Sequence, residues 1–141
     1  MNTYARTSGT YLAQRVMGAS PEQQAALIME AGQLHVGRAV QALEREDLAA
    51  TVTSLIRASE VIMEATLRLD VEGGSELVGN LLRLYDHWGD EMRIAGRTRD
   101  IPRLQAVARD MGEIRTAWEQ LHEKKVREAP SGFAALGDRV V

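Results

Sequence analysis

The chain has 141 residues, a formal net charge of −3 at pH 7 and no cysteine. Without thiols there can be no disulfide, thiolate zinc site, iron–sulfur cluster, c-type haem or cysteine nucleophile, and a domain of this length buries about 70% of its unfolded surface without such staples. The mild acidity speaks against nucleic-acid binding, which needs a basic face that dominates the field. The longest apolar run, Ala25 to Met29, is too short for membrane insertion, and Met1 to Thr10 lack the apolar stretch of a signal peptide. A cytoplasmic chain is expected.

Residues 1–19 are polar, with Tyr4, Tyr11 and Val16 isolated among them, and read as a mobile N-terminal arm. Ser20-Pro21-Glu22-Gln23 is a strong helix start: serine accepts from the N3 amide, proline suits N1, and Gln23 reaches back to complete a capping box. The first helix runs from Pro21 to about Arg45. Asp47 caps a second helix ending near Leu69, with Leu48, Val52, Leu55, Ser59, Ile62, Thr66 and Leu69 expected as its buried stripe.

Gly73-Gly74 breaks that pattern and Ser75 restarts it, placing Val78, Leu81, Tyr85, Trp88, Met92 and Ala95 on one face, with Gly96 as a stop signal. Asp100 caps the last helix, whose stripe is Leu104, Val107, Met111, Ile114, Trp118 and Leu121. Beyond Lys125 the pattern fades, and Phe133, Leu136 and Val140 are too scattered to demand another core helix. Short connections cannot carry the chain back along a helix some 30 Å long, so successive helices must alternate in direction. The expectation is an all-α, antiparallel up-and-down four-helix bundle over 20–125, with a short N-terminal arm and a C-terminal tail over 126–141.

Little in the chain carries chemistry. His35, His87 and His122 sit on three different helices. Di-metal bundle enzymes need a Glu-x-x-His motif on each of two helices, a pair this chain does not have. Asp86-His87 with Asp90-Glu91 reads as a solvated flank, and Arg93, Arg97, Arg99 and Arg103 as a rim neutralised by interleaved acids. His35-Val36-Gly37-Arg38 is the nearest approach to a histidine phosphotransfer site, but its spacing departs from that motif and His35 lies on an apolar line. No catalytic, metal or cofactor site is expected.

The informative feature is the first helix, which carries two adjacent apolar lines. One is Ile28, Ala31, His35, Ala39 and Ala42; the other is Met29, Gly32, Val36, Val40 and Leu43. Together they span about half the circumference, more than one side of a small bundle normally buries. The arm or tail covers the surplus, or a partner does. The partner is then an apolar peptide or helix in a groove, or a second copy in a weak homodimer of a scaffolding bundle.

Several blocks also resemble the flagellar export chaperone FliS family. Tyr11, Val16 and Ala19-Ser20-Pro21-Glu22 fall in that family's order and spacing, as do Leu55-Ile56-Arg57-Ala58, Val61-Ile62 and Leu69-Asp70. Glu76-Leu77, Asn80-Leu81 and Leu84-Tyr85-Asp86 form the strongest block, and Ala117-Trp118 closes the match. The chain departs where Ile28-Met29-Glu30-Ala31 replaces Leu-Tyr-Asp-Gly, at Ala95-Gly96 for Ala-Asn, and at His87-Trp88 for an aromatic and methionine pair.

The resemblance implies a type III export chaperone that holds the C-terminal amphipathic segment of flagellin, prevents its premature polymerisation and delivers it to the flagellar export gate. On that reading the flagellin groove is expected from Ile28, Met29, Val36 and Val40 of the first helix, with Ile56, Met63, Leu77 and Leu84. Tyr4, Tyr11 and Val16 of the arm are expected to fill part of it in the free protein and to contact the gate.

Overall fold

The computed structural model describes residues 18–128, and these form four α-helices with no strand among them. Helix α1 spans Pro21–Glu44, α2 Leu48–Leu67, α3 Glu76–Thr98 and α4 Ile101–Glu128. The bundle is all-α with short connections, as expected. Tyr4, Tyr11, Val16 and the tail from residue 129 lie outside the described residues.

Helix starts follow the capping residues. Ser20 Oγ accepts from the Gln23 amide at 3.1 Å while Gln23 Oε1 accepts from the Ser20 amide at 2.9 Å, a complete capping box. Asp47 Oδ1 accepts from the Ala50 amide at 3.0 Å and Ser75 Oγ from Val78 at 3.1 Å, each satisfying an amide that the first helical turn leaves orphaned. The α2–α3 turn is built by Asp70, whose carboxylate accepts from the Gly73 amide at 3.0 Å, and by Gly74 at φ 64°, a conformation that suits glycine because it has no Cβ.

Gly96 does not end α3. The helix runs through it to Thr98, and the stop is Arg99 at φ 56°, with the Asp100 amide donating to Ala95 at 3.1 Å. Gly96 serves packing instead: a Cβ there would lie 3.1 Å from Leu55 Cδ1 on α2. Helix α4 extends to Glu128, three residues past the expected end of the bundle.

Helix α1 sits between α2 and α4. A Cβ at Gly32 would meet Met111 Sδ of α4 at 3.0 Å and Val61 Cγ1 of α2 at 3.5 Å, so the missing side chain lets α1 approach both neighbours. Two flanking helices explain the two apolar lines of α1. Ala39, Ala42, Val36 and Met29 are fully or almost fully buried within the bundle. Across the core, Tyr85, Trp88 and Met92 of α3 fill the wider side, and Trp88 Nε1 donates to Asp110 on α4 at 3.3 Å. Side chains as completely buried as Trp88, Met29, Leu104 and Met111 each contribute roughly 1.5–3 kcal/mol of hydrophobic stabilisation.

Helix α2 is rotated from its expected phase. Its buried face is Thr51, Ala58, Ile62, Ala65 and the following Leu69, while Leu48, Val52 and Ser59 are exposed. Both faces of α2 carry residues stepping by three and four, so periodicity alone does not choose between them. Ala58 and Ala65 are small enough to let α2 close onto α1, and the larger residues are left outside. Thr51, the polar member of the inner face, donates its hydroxyl to Asp47 O at 2.8 Å.

Candidate partner-binding surface

The rotation of α2 leaves Leu48, Val52, Ile56, Met63 and Leu67 at 47, 56, 54, 63 and 75% exposure. At 3.6 residues per turn these five fall within an arc of about 100° and a length of about 28 Å. Ser59 occupies the stripe's missing position between Ile56 and Met63, and its hydroxyl donates to its own helix at Leu55 O, 2.9 Å away. No polar donor on this line is left turned outward. The strip, interrupted only at Ser59, is the longest line of exposed large apolar side chains on one described helix.

Toward α3 the stripe drops into a groove of about 460 Å³, lined by Ser59, Ile62, Met63, Tyr85, Gly89 and Met92. Asp86, Asp90 and Arg93 form its polar margin, with Arg93 and Asp90 ion-paired. Tyr85 stacks at an angle on Trp88, 5.4 Å between centroids, and burial pushes its phenol up to about 12. On the opposite side of α2 the stripe is bounded by exposed Arg57, Glu60 and Glu64, the last bonded to Arg68 at 3.1 Å.

The structure does not bring the expected groove residues together. Met29 and Val36 are in the core at 1 and 0% exposure, and Ile28 and Val40 are buried beside them. Shielded by α2 and α4, these four form no open wall. Ile28 and Met29 instead line a half-open pocket of about 250 Å³ between α1 and the α2–α3 end, with Ala65, Leu69, Tyr85 and Trp118, and with Pro21, Gln24 and Arg68 at its mouth. Ile56 and Met63 are exposed on α2.

Leu77 is exposed and Leu84 half-buried, but on a different flank of α3. Leu84 shares its face with Trp88 and Glu91, four and seven residues on, and these two pair with Asp110 and Arg103 of α4. Leu77 and Leu84 therefore face toward α4, away from Ile56 and Met63. Leu48 and Val52, expected in the core, are exposed members of the stripe, and Leu67 extends it by a further turn. Leu67 stands four residues after Met63 and eleven after Ile56, a spacing that would have revealed the second stripe.

Several other polar residues make local contacts. Ser20 Oγ and His122 Nδ1 are 2.9 Å apart, and His87 lies 3.7 Å from Glu91. Glu119-x-x-His122 is a single Glu-x-x-His motif, but Glu119 is bonded to Arg115 at 2.9 Å, and among the described residues no group of three His, Asp or Glu side chains could hold a metal. Arg103 is paired with Glu91 and Asp100, as expected of a neutralised rim. No described helix is long and apolar enough to cross a membrane.

In class, the described residues form an all-helical bundle whose α2 carries a long exposed apolar strip. Residues 3–125 match the family model described as flagellar protein FliS, and the chain belongs to that family. It is 30% identical over 105 residues to the flagellar secretion chaperone FliSB of Pseudomonas aeruginosa, covering 74% of this chain and 83% of that protein. It is likewise 30% identical over 110 residues to the flagellar secretion chaperone FliS of Salmonella typhimurium, covering 77% of this chain and 82% of that one.

Proposed function

We propose that this protein is a cytoplasmic export chaperone that binds the C-terminal amphipathic segment of flagellin along the outer face of α2. The observation that carries the reading is the stripe Leu48, Val52, Ile56, Met63 and Leu67, too regular and too exposed for a bundle that has already filled its core. Membership in a family whose relatives are named flagellar secretion chaperones supplies the client class. The protein acts by binding, without catalysis.

The physical logic is one of temporary burial. An amphipathic segment that packs against other subunits in a filament exposes its apolar face before assembly and tends to associate prematurely. Laying that face on α2 removes it from water, and coupled ordering of such segments typically buries about 1,000–3,000 Å² while costing several kcal/mol of the gross gain. That cost keeps the complex releasable at the export gate, where the arm with Tyr4, Tyr11 and Val16 is proposed to make contact.

Co-purification with full-length flagellin and with flagellin lacking its C-terminal helical segment tests this function. Retention of the first and loss of the second is expected; equal retention of both contradicts it. A second copy is the competing occupant of the stripe, and light scattering across a concentration series distinguishes it. A monomer is expected, whereas a tight dimer resisting dilution would assign the stripe to self-association.

A further inference from the structure

The stripe on α2 has a gap of one side chain, at Ser59, and Gly89 of α3 lines the same groove, so each helix contributes one small residue to it. Nothing inside the protein requires Gly89 to be small. The nearest atom to a Cβ built there is Arg93 Nη1 of its own helix at 3.8 Å. A glycine within a helix is less favourable than alanine by up to about 1 kcal/mol, and here no close helix approach offsets that cost, unlike Gly32 against Met111.

The two small residues shape a notch. It is lined by Met63, Ile62, Met92 and Tyr85, and the Ser59 hydroxyl is turned to its own helix, bonded to Leu55 O. At its rim stand exposed Asp86 and the Asp90–Arg93 pair. Asp90 is neutralised by Arg93, whereas no ion pair to Asp86 occurs among the described residues.

We propose that the Ser59–Gly89 notch is a socket for one large apolar side chain of the bound segment, with a Lys or Arg about one helical turn away on that segment meeting Asp86. This rests on the reading of α2 as the client surface and specifies which client sequence fits it. The occupant is an amphipathic helix because the stripe runs parallel to α2 over about five turns, a pattern that side chains at i, i+4 and i+7 of a partner helix match. Its flanking cation follows from charge complementarity at the rim. The socket fixes the register of a surface that would otherwise allow sliding.

The test uses a synthetic peptide of the flagellin C-terminal segment, titrated against the full chain and its variants by fluorescence anisotropy. Gly89→Leu fills the notch from α3 and Ser59→Leu fills it from α2. Each is expected to keep or raise the melting temperature and to weaken peptide binding about tenfold, the scale of one lost anchor contact. Asp86→Lys is expected to weaken binding and reduce its salt dependence.

Ser59→Leu separates the socket from a merely apolar surface, since completing the stripe would strengthen binding to the latter. Tighter binding by Ser59→Leu, or binding by Gly89→Leu within about twofold of the parent, overturns the socket. Ile56→Glu, outside the notch, reports on the underlying reading. If it weakens binding while both notch fillings do not, the socket alone fails; if all three bind as the parent does, the client surface fails with it.

Discussion

The Glu22 carboxylate and the Lys125 ammonium form a buried ion pair that joins the first turn of α1 to the last turns of α4. The two residues are 103 positions apart, and Ser20 and His122 make a second contact at the same end at 2.9 Å. A bundle whose first and last helices are clasped in this way closes on itself.

Breaking the clasp from one side leaves a charge in a buried place. Burial raises the Glu22 pKa, but the hydrogen bond from Lys125, the carboxylate's own backbone amide and the charges of Lys125 and His122 together bring it below its ordinary value of 4.5. Lys125→Met is expected to destabilise the fold by about 3 kcal/mol, as orphaning one member of a buried pair does, and the double change Glu22→Leu with Lys125→Met by markedly less. Denaturant titration of the single and double variants checks this. The lowered pKa means that Glu22 stabilises the fold above about pH 4.5 and that this contribution is lost as pH falls through its folded value.

His35 sets a separate pH window. It is half-buried on α1, and desolvation first, then Arg38 and Arg57, hold its imidazole below its ordinary value of 6.5, with Glu60 opposing them. The unfolded chain then binds the proton more readily than the folded one, so stability is full above about pH 6.5 and declines as pH drops toward the folded value. His35→Gln is expected to flatten the stability profile in that window while leaving the acid limb below pH 4.5 in place. Melting curves between pH 4 and 8 report it.

Two glycines of α1 should respond in opposite directions. No atom lies within 4 Å of a Cβ at Gly37, so Gly37→Ala is expected to stabilise the protein by about 0.5–1 kcal/mol through helix propensity alone. Gly32 sits where α1 meets both Met111 and Val61, and Gly32→Val is expected to cost about 1–3 kcal/mol by overpacking. Thermal melts of the two variants provide the comparison.

The helix order and the starts of the helices were legible in the sequence because they depend on local chemistry. Ser20, Asp47, Ser75 and Asp100 cap by contacts three residues long, which a linear reading can see. The surface was less legible because it depends on which of two faces turns inward. On α1 two apolar lines suggested a surplus, yet all of their residues but Ala31 and His35 are buried because α2 and α4 pack on adjacent sides, close enough for Gly32 to matter. On α2 the same double patterning hid a real surplus, since the small Ala58 and Ala65 took the inside and left Val52, Ile56 and Met63 outside. Size, which decides how closely helices approach, is not recorded by periodicity.

The central claim is that α2's outer stripe holds the client, and the most direct measurement is the affinity of the flagellin C-terminal segment for the paired variant Ile56→Glu with Met63→Glu. Both side chains are more than half exposed, so the fold should melt as the parent does. An affinity loss of about thirtyfold or more is expected, the scale of removing central anchors from an interface. Unchanged affinity in a variant with unchanged melting would contradict it.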